Sequence, residues 1–395
     1  MVPATGPVQA PAENTERRHM TDSQKFRPVY GVKDQRWSLL DLLERFADET
    51  FVSEGVLRIS DLHLRPGKPP HYRFDGELIP LPGGSDLDDD TIKTLIAPIL
   101  REGALERLES GEDIDASWEW PEKNLSFRLN LFRAREGTCV ALRVLACKVP
   151  PPDQIGFPFE GTWNNFIQMD QGLVIVTGIT GSGKSTTVSS LLTRRARERS
   201  ERVITLEDPI EYILEGERSL ISQRELGQHL TSFSGGLRSA LREDPDVIFV
   251  GEVRDQETAA LALTAAETGH VVITTLHTKD ARGAITRLVD LFPGDRSSEI
   301  CSQLSFSLSM VIAQKLIPRK DGIGRRAAME VMVNHPSLSH LIRSGKWAQI
   351  GSQMETQRRQ GSITMDRHLK ELVDSDEITQ ETAQRYAHTS AFEGL

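Results

Sequence analysis

Hydrophobic and polar positions give the chain two textures, with a break near residue 150. Ahead of the break, apolar positions come in short sets. Leu39, Leu40, Leu42, Leu43 and Phe46 fall at helical spacing, so a helix is expected there. Ser60–Arg65 and His71–Leu78 read as strands, with Pro66-Gly67 and Pro69-Pro70 marking the turn between them. Thr91–Leu108 carries a second helical pattern, and Leu125–Arg133 and Thr138–Leu145 alternate about Gly137 as a β-hairpin does. Past the break, strands become continuous apolar runs: Leu173–Thr177, Val203–Leu206, Val247–Val250 and Val271–Thr275. Helical stretches separate them. Strands buried on both faces read this way, so a parallel sheet flanked by helices is expected. One more strand, Ala327–Val333, precedes a mostly helical end.

The break itself is Lys148-Val149-Pro150-Pro151-Pro152-Asp153, a semi-rigid spacer. The expected organisation is a disordered tail over 1–36, a small α+β domain over 37–148, a proline-rich linker over 149–153, and an α/β domain over 154–395 that is helical from about 334. The tail reading rests on Pro, Ala, Thr and charge without periodicity. Composition adds exclusions. The 395 residues are 38% hydrophobic and 26% charged, enough apolar material for sizeable cores. With 47 basic and 57 acidic residues the formal charge is −10, which argues against non-specific nucleic-acid binding while leaving room for a local basic channel. Cys139, Cys147 and Cys301 form no CxxC pair, so no disulfide framework and no zinc site are expected, and a reducing, cytoplasmic compartment is the simplest reading. The longest uncharged run, Ile300–Gln314, is too short and too polar to span a bilayer. Near the start, Glu13, Arg17 and Arg18 stand without the apolar core of a signal peptide.

The strongest chemical signal is Gly178-Ile179-Thr180-Gly181-Ser182-Gly183-Lys184-Ser185-Thr186, which fits GxxxxGK[ST]. It follows an apolar strand and opens a helical stretch. Glycines let backbone N–H groups turn inward around an anion, and the helix N-terminus adds its positive dipole end. Lys184 is placed for the β- and γ-phosphates of a nucleotide, and the Ser185 hydroxyl for Mg²⁺.

Three further elements stand at the ends of apolar strands. Thr205-Leu206-Glu207-Asp208-Pro209-Ile210-Glu211-Tyr212 puts carboxylates where they could orient water or hold metal, although an acidic turn is often only a solvated one. Asp246–Glu252 has a Walker B shape with Gly251-Glu252 where Asp is usual. Glu252 could hold Mg²⁺ through water, polarise the attacking water, or be an ordinary loop glutamate. His270 and His277 bracket the fourth strand, and His277 stands at the end where a γ-phosphate sensor would sit.

In this order the elements resemble the secretion and type IV pilus ATPase superfamily, most of all its PilT-type pilus retraction ATPases. The resemblance covers about residues 37–390. "GITGSGKST" resembles its Walker A, "TLEDPIEY" its Asp box, "LREDPDVIFVGEVRD" its atypical Walker B and "TGHVVITTLHT" its His box. "SDLHLRPGKPPHYRFDGEL", "FRLNLFRAREG", "SHLIRSGK" and "GSITMDRHLKELV" resemble its flanking segments. The resemblance implies a RecA-like P-loop ATPase domain behind a PAS-like α+β domain. It also implies a homohexameric ring, with ATP between the two domains and arginines of a neighbouring subunit completing each site. Matched residue by residue, Arg128 and Arg143 are the candidates for those arginines, against the alternative of surface salt bridging. Glu211 is the candidate for activating water and Glu252 for organising Mg²⁺. The implied partner is an inner-membrane pilus or secretion platform protein, with the ATPase held peripherally on the cytoplasmic face. Alternatives are a Dot/Icm-type or other secretion ATPase, a weakly hydrolysing accessory retraction ATPase and a RecA-like nucleic-acid motor. The pilus extension branch generally carries a paired CxxC zinc insertion, which this chain lacks.

Overall fold

The first strands lie ahead of Trp37. β1 (Tyr30–Val32) and β2 (Gln35–Trp37) pair as an antiparallel hairpin, and Phe26, Tyr30 and Val32 are buried. The tail expected over 1–36 is therefore corrected over 26–36. Residues 26–36 fold because Phe26 and the alternate side chains Tyr30 and Val32 reach a core, a long-range gain that composition does not display. In the computed structural model the described residues are 26–48, 52–53, 56–74, 77–123, 125–145, 149–322 and 324–388. Residues 1–25, and with them most of the expected tail, lie outside these, as does Cys147. The chain divides into two units, Met1–Leu145 and Ala146–Leu395.

In the first unit, Ser38 and Asp41 form a capping box that starts the helix Leu39–Leu43. A small pair, β3 (Val52–Ser53) and β4 (Val56–Leu57), follows. β5 (Ile59–Leu64), β6 (His71–Phe74), β7 (Glu77–Pro80), β8 (Ile114–Trp120), β9 (Leu125–Ala134) and β10 (Gly137–Leu145) make a six-stranded antiparallel sheet in the order β7-β6-β5-β10-β9-β8. The strand expected over His71–Leu78 is thus two strands, and the helix expected over Thr91–Leu108 is also divided. Asp89–Ile96 is α-helical, Pro98 lies in a 3₁₀ turn, and Ala104–Glu109 starts anew after Gly103. Proline lacks the N–H that would continue the ladder. Alternation sorts the sheet faces. Phe127, Leu129 and Leu131 of β9 and Val140 and Leu142 of β10 are buried, whereas Arg128 and Arg143, at the alternate positions, are exposed.

The second unit holds a seven-stranded sheet. After the short helix Pro152–Ile155 come β11 (Gly172–Thr177), β12 (Arg202–Glu207), β13 (Leu220–Glu225), β14 (Val247–Val250), β15 (Val271–Leu276), β16 (Leu308–Pro318) and β17 (Arg325–Val333). Their order is β13-β12-β14-β15-β11-β16-β17, parallel throughout except for the antiparallel β17. Both faces are covered. Leu173, Ile175, Ile204, Leu206, Ile248 and Val250 join one apolar cluster, and their neighbours Val174, Val176, Val203, Val247 and Phe249 join another. The uncharged run Ile300–Gln314 is split between the helix Ser297–Ser307 and β16. Among the described residues no helix is long and apolar enough to cross a membrane. From Pro336 onward the regular structure is helical, with helices Pro336–Arg343, Ile350–Thr356, Met365–Asp374 and Gln380–Tyr386.

Candidate active site

The register of the parallel strands brings four loops to one edge. Thr177 pairs with Leu276, Val250 with Thr274 and Leu206 with Val250. The loops after β11, β12, β14 and β15 therefore open side by side at the carboxyl ends of the strands, where open α/β sheets bind ligands. Thr177 ties two of them together. Its hydroxyl lies 2.8 Å from Thr278 Oγ1 and accepts from the Thr278 N–H at 2.9 Å.

The phosphate loop, 178–183, leads into the helix Lys184–Glu198. Two glycines are required by close approach. Gly178 has φ +152 and a Cβ there would stand 2.4 Å from the Gln314 carbonyl oxygen. Gly183 has φ +86 and a Cβ there would meet Gln314 Nε2 at 2.8 Å. Gln314 itself is buried. It donates to the Ser182 carbonyl at 2.7 Å and accepts from Thr187 Oγ1 at 2.7 Å, gripping the loop and the first turn of its helix. Thr180 and Gly181 are exposed on the loop, Ser182 is buried within it, and Ser185 and Thr186 lie in the first helical turn.

Lys184 Nζ donates to the carbonyls of Gly178 at 2.9 Å and Ile179 at 3.2 Å, and lies 3.4 Å from His277 Nδ1. On its other side the His277 ring places Nε2 3.4 Å from Glu252 Oε2. Lys184, His277 and Glu252 thus form one row across three loops. Burial pushes the Lys184 ammonium below its ordinary pKa, and the nearby Glu252 and Glu211 carboxylates oppose that push. For Glu252, burial would raise the carboxyl, but Arg254 at 2.7 Å and His277 outweigh it and hold it below the usual range. It is an ionised carboxylate at neutral pH.

The loop after β12 is held against the phosphate helix. The Tyr212 hydroxyl lies 2.9 Å from Thr186 Oγ1. Glu211 beside it is exposed and near enough to act electrostatically on Lys184 and on Glu207. Glu207 is buried. Desolvation raises its carboxyl to about 7, assisted by Glu211 and Glu225 and opposed by hydrogen bonds from Thr205 and Gln223. His270 stands at the opposite end of β15 with Nδ1 on the Ala265 carbonyl, apart from the row.

Arg128 and Arg143 belong to the first unit. They face each other directly across β9 and β10. Arg143 Nε donates to Asp61 Oδ1 at 2.7 Å, with Arg73 Nε 3.9 Å from the other oxygen of the same carboxylate.

Gln314, Tyr212, Gln223 and Arg254 escaped the sequence reading. A lone glutamine inside the apolar run of β16 is a signal that could have exposed Gln314. The others carry none beyond their nearness to a motif.

The donor set fits a nucleotide with magnesium. Among the described residues no three His, Cys, Asp or Glu side chains gather into a metal cage. Magnesium does not need one, since it takes one or two protein oxygens and completes its shell with phosphates and water. The Ser185 hydroxyl and the ionised Glu252 supply oxygens of that kind. A strand, a phosphate loop and a helix, with acidic residues and a histidine on adjacent parallel strands, define a P-loop ATPase. The family profile described as "Type II/IV secretion system protein" matches residues 101–391, and the chain belongs to that family. It is 42% identical to the "Type IV pilus retractation ATPase PilT" of Pseudomonas aeruginosa over 330 residues, which cover 83% of this chain and 94% of that one. It is 38% identical to the "Twitching motility protein" of Neisseria gonorrhoeae, covering 92% and 96% of the two chains. A solved structure described as the pilus retraction motor PilT with bound ADP matches with a TM-score of 0.82 at 36% identity, over 90% of this chain and 98% of that one. The chain is an ATPase of this type.

Proposed function

We propose that the protein is the motor of type IV pilus retraction and drives twitching motility by hydrolysing ATP. The observation that carries this reading is the Lys184–His277–Glu252 row, built on registered strands of a chain whose length matches a retraction motor almost end to end. Backbone N–H groups of Gly178, Thr180, Gly181, Ser182, Gly183, Lys184, Ser185 and Thr186 surround the phosphates, and Lys184 Nζ neutralises the β- and γ-oxygens. Ser185 and Glu252 would hold Mg²⁺, which would supply further charge neutralisation. Glu211 accepts a proton from the attacking water, and His277 senses the γ-phosphate between Lys184 and Glu252. Arg128 and Arg143 of a neighbouring subunit meet the charge that develops in the transition state.

This reading makes the second unit RecA-like and the first PAS-like, the latter supported by a six-stranded antiparallel sheet with helices beside it. The working form is a homohexamer docked on an inner-membrane platform protein at the cytoplasmic face. Lys184→Ala is the direct test. Turnover of the purified protein with Mg·ATP is expected to fall at least about a hundredfold, and the variant should fail to restore retraction in cells that assemble pili but cannot withdraw them. Near-normal turnover in Lys184→Ala would refute the site. Normal retraction in cells lacking the protein would refute the motor role.

A further inference from the structure

Glu211 is exposed, so its carboxylate takes its orientation from the backbone that carries it. That backbone is held on both sides of Glu211 by one strand. On β13, Gln223 and Glu225 are two residues apart and therefore share a face. Glu225 Oε2 accepts from the Ile210 N–H at 3.1 Å. Gln223 Oε1 accepts from the Leu214 N–H at 2.8 Å, and its Nε2 donates to the Tyr212 carbonyl at 2.9 Å. The same Nε2 reaches Glu207 Oε1 at 2.9 Å. In register, Gln223 pairs with Thr205 and Glu225 with Glu207, so the bracket is continuous with the strand that delivers the loop. Glu225 is fixed in turn. It is buried, its backbone N–H donates to His229 Nδ1 at 3.0 Å, and Gln228 donates to its second oxygen.

We infer that Gln223 and Glu225 are positioning residues for hydrolysis, clamping the backbone at 210, 212 and 214 so that the Glu211 carboxylate faces the γ-phosphate side of Lys184. The inference rests on the proposed role of Glu211. Neither residue touches nucleotide under this scheme, since both act through the loop. A bracket at one end would leave the loop free to pivot. Two brackets either side of Glu211 remove that freedom, and misplacement of a reacting group by an ångström is enough to slow an enzyme greatly. An edge strand carrying two inward polar side chains, LISQRE, is otherwise a poor use of a position beside a buried carboxylate.

The test separates orientation from folding. Gln223→Met keeps length and removes every hydrogen bond of the amide. Its kcat should fall roughly ten- to a hundredfold, while affinity for a fluorescent ADP stays within about twofold because the phosphate loop is untouched. Glu225→Ala should lose about tenfold in kcat, and Glu225→Gln, which keeps an acceptor for the Ile210 N–H, should recover to within about threefold of wild type. Combining Gln223→Met with Glu211→Gln should lower kcat no further than Glu211→Gln alone, because residues that act as a unit are non-additive. Normal kcat in Gln223→Met beside a crippled Glu211→Gln overturns this inference alone. So does a full additional loss in the double variant, or a loss of ADP binding that matches the loss of kcat. Normal turnover in Glu211→Gln overturns the water-activating role of Glu211 and this inference with it.

Discussion

Arg195 and Arg143 each meet a nearly buried carboxylate, yet the fold uses them in opposite ways. The Arg195 side chain is 1% exposed and spends its whole fork internally. It donates to both oxygens of Glu201 at 2.8 Å and to the carbonyls of Phe166 and Met169 at 2.6 Å. Arg143 is 67% exposed and engages Asp61 through Nε, which leaves its terminal fork outside that pair. Arg128 stands directly opposite it. Like charges placed across a strand pair are destabilising, and an anion between them would relieve the repulsion. A guanidinium whose donors are consumed within its own unit holds that unit together. One tethered by a single nitrogen is oriented, and its fork can serve another molecule. Glu207 completes the contrast, since it is a buried carboxylate hydrogen-bonded by Thr205 and Gln223 rather than by a guanidinium. Burial raises its proton affinity against those two hydrogen bonds.

The sharpest way to break this comparison is at the exposed pair. Arg128→Ala with Arg143→Ala should lower turnover by about 10³–10⁵ and lower the melting temperature less than Arg195→Ala does, because Asp61 keeps Ser60 and Arg73 beside it. On the proposed shared-site reading, mixed rings combining these subunits with Lys184→Ala subunits should regain turnover, because one interface would then join an intact lysine to intact arginines. No recovery in rings shown to be mixed would end the idea of a shared site. Arg195→Ala should do the reverse. Removing one partner of a buried pair costs about 3–5 kcal/mol, read as lost denaturant resistance, while folded protein at low temperature should keep its kcat. A selective loss of turnover with stability intact would erase the distinction between the two arginines.

The smallest effect concerns Glu207. Its folded carboxyl is raised from 4.5 to about 7. A raised pKa in the folded state means stability that is fully present below about 4.5 and is lost as pH climbs through about 7. Glu207→Gln keeps an oxygen to accept from Thr205 and Gln223 and has no proton to lose. The variant should therefore gain on wild type by about 3 kcal/mol between about pH 5 and about pH 8.5. Melting curves at the two pH values check it, and parallel curves would mean that Glu207 titrates as an ordinary carboxylate.

The sequence displayed the buried parallel strands best. Leu173–Thr177 and Val271–Thr275 are apolar at nearly every step because both faces of the sheet are covered, and no alternative period fits them. β13 was invisible because LISQRE is an edge strand with mostly half-exposed side chains. β16 was hidden because the helix Ser297–Ser307 passes into it without a glycine or proline to mark the change. Tyr30 and Val32 carry no visible strand signal because two buried residues in a short hairpin leave too little pattern. At the site, Lys184, Glu252 and His277 announced themselves through spacing. Gln223, Glu225 and Gln314 did not, because each works by bonding a distant stretch of backbone, and a backbone partner leaves no residue type in the sequence to recognise.

The first strand of the ATPase sheet to be synthesised lies inside that sheet, with neighbours on both sides. β11 draws its hydrogen bonds from β15 and β16, which begin at Val271 and Leu308. When Thr177 leaves the ribosome, its strand partners are roughly a hundred residues short of existing. At about 5–20 residues per second, the apolar GLVIVT segment waits on the order of 5–20 s with both edges open. An unpaired strand of that composition is a template for intermolecular pairing. The phosphate loop's own strand is thus open to intermolecular pairing during translation, and slowing elongation between codons 178 and 271 should lower the yield of native protein more than the same delay placed after 333.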